Sequence, residues 1–257
     1  MTVLSDHTLE LTGPAGDPAS PVHRLDPRSK IVGFMAVTAV ALSASVGAWP
    51  VWAGCAAVLG AVAGIARIPV GAIWRRARFV LPLVLLVALL VPFARSGGRE
   101  YVLGPLVAHE EGLRTFVAVA AKALIGSMSA VLLAATTPFP AVLRGLEALR
   151  VPRLLVMIAA LMYRYLFVVV EEVRRMRAAL AARAYRPRSA LHAGALGRVA
   201  TATFLRTHSR GERVYRAMLA RGYRGQMPHL APLAPARADV LFPSLVLAAL
   251  LPLRMVA

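Results

Sequence analysis

Residues 31–66 read IVGFMAVTAVALSASVGAWPVWAGCAAVLGAVAGIA, thirty-six positions without one charged side chain. A helix rises about 1.5 Å per residue and the hydrocarbon layer is about 30 Å thick, so a crossing needs roughly 17–25 residues. The run therefore holds two crossings. They divide at Gly47-Ala48-Trp49-Pro50, where glycine and proline permit a tight turn and tryptophan suits a membrane interface.

Working outward, residues 79–94 are again uncharged, and from Thr115 to Leu143 Lys122 is the sole charge. Phe79–Ala94, bounded by Pro82 and Pro92, is read as a third span. Thr115–Ala135 is a fourth, and Val240–Leu253, between Asp239 and Arg254, anchors a fifth. The whole chain of 257 residues is 58% hydrophobic yet carries a net charge of +18. Its mean hydropathy is +0.66, well above that of a soluble domain. The two facts are reconciled by segregation: residues 144–237 contain 18 Arg against 4 Glu.

Loop charges set the orientation, because basic loops stay in the cytoplasm. The entry segment holds Arg24, Arg28 and Lys30, and residues 67–78 hold four arginines and no acid. The loop 95–114 balances three arginines with three glutamates. The N-terminus and the basic segment are thereby expected inside and the C-terminus outside. The expected organisation is a cytoplasmic tail (1–27), a four-span membrane domain (28–135), a basic cytoplasmic domain (136–238) and a last span (239–257). The tail mixes Asp6, Glu10 and Asp17 without an apolar core, unlike a signal peptide.

Leu154–Val170 is apolar apart from Arg164 and is a candidate sixth span. An arginine at a helix centre costs about 2.5–3.5 kcal/mol on insertion, and a crossing there would export the basic segment. Leu154, Ile158, Leu161, Tyr165, Val169, Val173, Met176 and Leu180 instead step by three or four. This predicts one amphipathic helix from Pro152 to about Ala184. A short helix is expected from Thr137-Pro138, capped by Thr137, with Val142, Leu146 and Leu149 on one face, and Val151-Pro152 ends it. Pro187 ends the long helix. A third runs from about Leu196 to Arg221, with Val199, Phe204, Val214 and Met218 on its apolar side. Gly222 and Gly225 close it, and Pro228, Pro232 and Pro235 form a linker.

Two similar triplets end the long helices: Ala182-Arg183-Ala184 and Ala220-Arg221-Gly222. Tyr185-Arg186 and Tyr223-Arg224 follow them directly. A cation at a helix C-terminus interacts well with the dipole, by about 0.3–1 kcal/mol, so Arg183 and Arg221 have a purely local rationale. A planar guanidinium flanked by small residues also suits insertion into an acidic groove on a partner. Both readings stand on physics alone.

Other residues give less. Cys55 is the sole cysteine, which excludes a disulfide framework, and the six histidines lack metal-ligand spacing. His23 is read as an interface residue. Lys122 within a span is either functional or a snorkelling side chain. Gly126, Ser127 and Ser129 form a small-residue face for close packing. No phosphate-binding loop and no paired carboxylates inside the spans point to catalysis, which disfavours a membrane enzyme. Binding of anionic lipid or nucleic acid by the +14 segment is a rival reading. For nucleic acid the segment lacks interleaved stacking aromatics.

The run Leu143-Arg144-Gly145-Leu146-Glu147 through Arg150-Val151-Pro152, then Tyr163-Arg164-Tyr165 and Glu171-Glu172, resembles the transmembrane T component of energy-coupling factor (ECF) transporters. Arg213-Val214-Tyr215-Arg216-Ala217-Met218 leading into Ala220-Arg221-Gly222 is similar to the cobalt/nickel, CbiQ-like subgroup. So is His23-Arg24-Leu25-Asp26-Pro27-Arg28-Ser29-Lys30. The resemblance implies an L-shaped, all-α integral membrane protein of about five spans and three cytoplasmic coupling helices, in a bacterial inner membrane. It implies a non-catalytic scaffold with no cofactor of its own. The expected partners are two ABC-type ATPases holding ATP and magnesium, a substrate-capturing S component and a possible small accessory membrane subunit, with no nucleic acid. Arg183 and Arg221 match the ATPase-docking motifs, although Ala184 stands where glycine is usual. Cobalt is the expected cargo, with nickel or a vitamin as alternatives.

Overall fold

The structure is a computed structural model that describes residues 20–69, 71, 82, 100–103, 106–183, 193–225 and 237–256. The expected third span (apart from Pro82), the tail to residue 19, Ala184, Tyr185, Arg186, Pro187 and the proline linker lie outside the described residues. The described elements are α1 (Pro21–Arg24), α2 (Pro27–Ser43), α3 (Trp49–Ile65), β1 (Glu100–Leu103), β2 (Leu106–His109), α4 (Glu110–Thr136), α5 (Phe139–Ala148), α6 (Arg153–Ala182), α7 (Ala193–Ala220) and α8 (Arg237–Val256). Among the described residues the fold is helical apart from an antiparallel hairpin that pairs Glu100 with His109 and Leu103 with Leu106. That hairpin falls in the loop read as 95–114. Tyr101-Val102-Leu103 and Leu106-Val107-Ala108 supply the strand formers.

Two compact units emerge: residues 1–149 with 233–257, and residues 150–232. In the first, α2 is the central helix, packing against α8, α4, α5 and α3. Its N-terminus is built by proline and a cap: Asp26 Oδ1 accepts from the Arg28 amide at 2.8 Å, and Pro27 opens the helix. Gly47, at φ +109, breaks α2 from α3 within the expected turn. Helix α8 comes so close to α2 that a Cβ on Gly33 would lie 2.4 Å from Phe242 Cε1. Phe242 also meets Phe34 edge-on, with ring centroids 6.1 Å apart. Large apolar side chains such as Met35, Leu42, Trp49, Ile65 and Leu245 point outward, as a bilayer-facing surface requires. Helix 111–136 and helix 153–182 are each long and apolar enough to cross a membrane, and 49–65 and 242–252 are shorter apolar helices.

Several local expectations are corrected. Thr137 caps no new helix: it is the extended C-cap of α4, and Pro138 takes the N-cap of α5 without a side-chain cap bond. The proline forces its predecessor out of the helical region. The face of α5 that packs is Ala141, Leu143 and Gly145 rather than Val142, Leu146 and Leu149. Close approach decides this, since a Cβ on Gly145 would come 2.9 Å from Ile31 Cδ1.

Two lysines tie α2 and α4 together reciprocally. Lys30 near the start of α2 is only 2% exposed, and its Nζ donates to the carbonyls of Thr136 and His23, each at 3.1 Å. Lys122 on α4 donates in turn to Leu42 O at 3.0 Å and Ala44 O at 2.8 Å, at the end of α2. The helices run antiparallel, so each places a cation on the other's negative C-terminal end. Lys122 thus has a structural contact at the end of α2.

Candidate functional site: the paired helix ends

In the second unit α6 runs unbroken for 30 residues, through Arg164, as the apolar stripe requires. Leu161, Val169 and Met176 are half-buried while Arg174, Arg175 and Arg177 are exposed. Helix α7 lies antiparallel to it, held by three cross-contacts. The Tyr223 hydroxyl donates to Met157 Sδ, Arg206 pairs with Glu172, and Thr203 Oγ1 donates to Met176 Sδ at 3.3 Å. Thr203, half-buried, therefore takes the packing role expected of Phe204. Phe204 is 67% exposed and stacks on His208. Helical periodicity explains the exchange: adjacent residues point 100° apart, and the polar zipper selects the threonine.

Glu172 is the hub of this pairing. It accepts from Arg175 on its own helix at 2.8 Å and from Arg206 across the gap. Hydrogen bonds from Arg175 first, then Arg206, hold its carboxyl below the usual glutamate range. The sequence contained Glu172 as part of a family resemblance, with no signal that it would bridge two helices.

Both triplet arginines occupy the same structural position. Arg183 is the C-cap of α6, its amide bonding to the carbonyls of Ala179 and Leu180. Arg221 directly follows the last residue of α7, its amide bonding to those of Ala217 and Met218. Beyond Arg221 the chain closes in a Schellman motif: Gly222 at φ +80 bonds to Leu219 O and the Tyr223 amide to Met218 O. Glycine is needed there because a side chain at that φ costs about 1–2 kcal/mol. Tyr223 turns back onto Met157, and so locks the second triplet to the start of α6. Both arginines are exposed, and among the described residues neither guanidinium has an ion-pair partner. Arg224, three residues after Arg221, is also exposed. Ala184, Tyr185 and Arg186 lie outside the described residues.

The register fixes the span between the two ends. Tyr223 sits against Met157, and Arg183 lies 26 positions further along the same helix from Met157. At about 1.5 Å per residue the two arginines are roughly 40 Å apart, at opposite ends of one helical pair.

Among the described residues no cluster of three His, Cys, Asp or Glu side chains is placed to hold a metal.

Uncharacterized protein MJ1571 of Methanocaldococcus jannaschii is 32% identical over 102 residues, covering 39% of this chain and 35% of that protein. Uncharacterized protein MJ1089 of the same organism is 29% identical over 119 residues, 46% of this chain and 44% of its own length. The chain thus spans less than half of either curated relative. A far longer match is to the CbiQ family, described as a cobalt transport protein, over residues 18–230. With that match running through the central α2 bundle and both arginine-tipped helices, the chain belongs to the CbiQ cobalt transport protein family, the T components of ECF transporters.

Proposed function

We propose that this chain is the coupling subunit of an ECF-type importer for cobalt ions, joining two cytoplasmic ABC-type ATPases to a substrate-capturing membrane subunit. The observation that carries the reading is the repetition of one local geometry, an exposed arginine at a helix C-cap, at two points roughly 40 Å apart. One small ligand does not reach both points, whereas two copies of one partner subunit do. Each guanidinium is suited to enter an acidic groove, where its planar fork matches a carboxylate. The cross-contacts between α6 and α7 then make the pair a lever: force applied at either arginine is carried along both helices.

The reading places the N-terminus and residues 136–238 in the cytoplasm, with five crossings and an L-shaped whole in which the long helices form the cytoplasmic arm. Loop charges support it, as does the cost of carrying Arg164 and the following arginines across a bilayer. Cargo specificity belongs to the membrane partner. ATP and magnesium belong to the ATPases, and a small accessory subunit completes the assembly.

The test is co-expression with the ATPases and membrane partner, followed by vesicle uptake of radioactive cobalt. A charge-assisted hydrogen bond contributes about 1.5–3 kcal/mol, so one Arg→Ala change loosens a docking site about tenfold or more. Arg183→Ala/Arg221→Ala is expected to abolish uptake and reduce ATPase co-purification while leaving membrane insertion normal. Arg→Lys restores only part. Full uptake and full ATPase retention in the double variant would refute the proposal.

A further inference from the structure

We infer that Arg150 is a two-state hinge, the backbone position at which α6 turns on the end of α5. Its place in the transport cycle rests on the coupling role proposed above. The chain divides into its two compact units between Leu149 and Arg150.

Three described helices end by passing through a positive φ two residues beyond the last helical one. These are α3 at Arg67 (φ +48), α5 at Arg150 (φ +66) and α7 at Gly222 (φ +80). Two of the ends are latched. The Arg67 amide bonds to Gly64 O at 3.0 Å and the Ile68 amide to Ala63 O at 3.1 Å. The Gly222 and Tyr223 amides repeat the pattern, with Leu219 O at 2.9 Å and Met218 O at 3.0 Å. The chain turns in the same way after α5, yet neither the Arg150 nor the Val151 amide forms a well-made closing bond. The loosest of the three latches is the one at the unit boundary.

This end is also strained. An L residue disfavours the left-handed well by a factor of roughly five to thirty in population, whereas glycine takes either sign of φ about equally. Nothing local requires arginine to bear that cost. Its side chain is exposed, and no ion pair or hydrogen bond among the described residues engages it. The helix dipole does not demand the conformation either, since Arg183 caps α6 at φ −87. On both sides the backbone is restricted. Gly145 seats α5 against Ile31 and Pro27. Val151 precedes a proline and is confined to extended conformations, and Pro152, at φ −50, caps α6. Rotation is thereby concentrated at Arg150.

A strained, loosely latched position between two compact units has two backbone states within reach, the observed one and one at negative φ. Helix α6 is 30 residues long, a lever of roughly 45 Å. A small rotation at Arg150 is therefore magnified at Arg183 on its far end.

The experiment uses the purified full chain in detergent without its transporter partners, so the distance measurement is independent of the ATPase-docking reading. Nitroxides on Arg144→Cys in α5 and Arg177→Cys in α6, both exposed positions, report the separation by pulsed electron resonance. Cys55 is fully buried and stays unlabelled. Two distances are expected, in a ratio that follows tolerance of positive φ at position 150. Arg150→Gly should shift the ratio about five- to thirtyfold toward one distance, and Arg150→Asn partway in the same direction. Arg150→Lys should leave it alone, and the β-branched Arg150→Val should move it toward the other distance. In the assembled transporter Arg150→Val is expected to lower cobalt uptake at least tenfold with ATPase retention normal. A single distance common to all variants overturns the proposal. So does an order that follows charge, with Gly, Asn and Val shifting alike, since that marks a lost guanidinium contact instead of a torsional preference. Parent-level uptake in an Arg150→Val protein whose distance ratio has shifted would overturn the hinge's part in transport.

Discussion

Replacing Lys30 by Met tests whether the α2–α4 pair is held by charge or merely by apolar contact. The Lys30 ammonium is buried and donates two hydrogen bonds to carbonyls, one of them 106 positions away in sequence at Thr136. Charge-assisted bonds contribute about 1.5–3 kcal/mol each, so the gross loss is about 3–6 kcal/mol. Methionine also removes the several kcal/mol spent keeping an ammonium out of water. Left behind are the Thr136 and His23 carbonyls, whose unmet desolvation cost of about 1–3 kcal/mol each dominates the balance. A net loss of roughly 2–4 kcal/mol results. For a chain of this length, about 2–4 °C of melting temperature accompanies each kcal/mol, giving a drop of roughly 4–16 °C. Lys122→Met breaks the reciprocal pair of bonds at a more open site, and its expected drop is smaller, about 2–4 °C. Cys55 supplies the assay: it is the chain's one cysteine and fully buried, so a thiol-reactive dye reports unfolding in detergent. A Lys30→Met protein melting within a degree of the parent, or one hurt less than Lys122→Met, would refute the clamp.

Gly33→Ala gains about 0.5–1 kcal/mol of helix propensity but drives a methyl into the Phe242 ring, an overpacking cost of about 1–3 kcal/mol. It should melt lower than the parent, and by less in a Phe242→Leu background. Gly222→Ala places a side chain at φ +80, costs about 1–2 kcal/mol and should depress cobalt uptake by displacing Arg221 and Tyr223. Gly197→Ala, in the open interior of α7, should leave uptake unchanged. Glu172 should titrate by carboxyl carbon NMR below the ordinary glutamate value of about 4.3. Because its folded pKa is depressed, its contribution is present above the unfolded value and is lost as pH falls through the folded one. The α6–α7 spin-label distance should thus hold at pH 5 and widen only in stronger acid, whereas Glu172→Gln should widen it at every pH.

The helix ends and the turns between helices were legible in the sequence for a local reason. Gly47 and Gly222 adopt positive φ where their neighbours in sequence demand a break, and Arg183 and Arg221 follow the last periodic apolar residue of each helix. The hairpin at 100–109 was missed because four-residue strands carry too little periodicity to stand out from a loop. Glu172 was visible as an acid among arginines, yet its partner Arg206 lies 34 positions away, and no local pattern selects one arginine among so many.

A deeper reason governs the membrane-facing unit. In water, large apolar residues mark the core, but in hydrocarbon they are equally at home on the outside, so hydropathy loses its power to tell a lipid face from a contact face. Met35 and Leu245 face outward while Lys30, the most polar choice available, is buried. The contacts are written instead in residues that hydropathy scores poorly. Glycine at 33 and 145 lets α8 and α5 approach α2, and lysine at 30 satisfies the buried Thr136 carbonyl, which has no water to turn to. That is why the apolar stripe of α5 pointed to the wrong face. In this unit the informative positions are the smallest side chains and the charged ones.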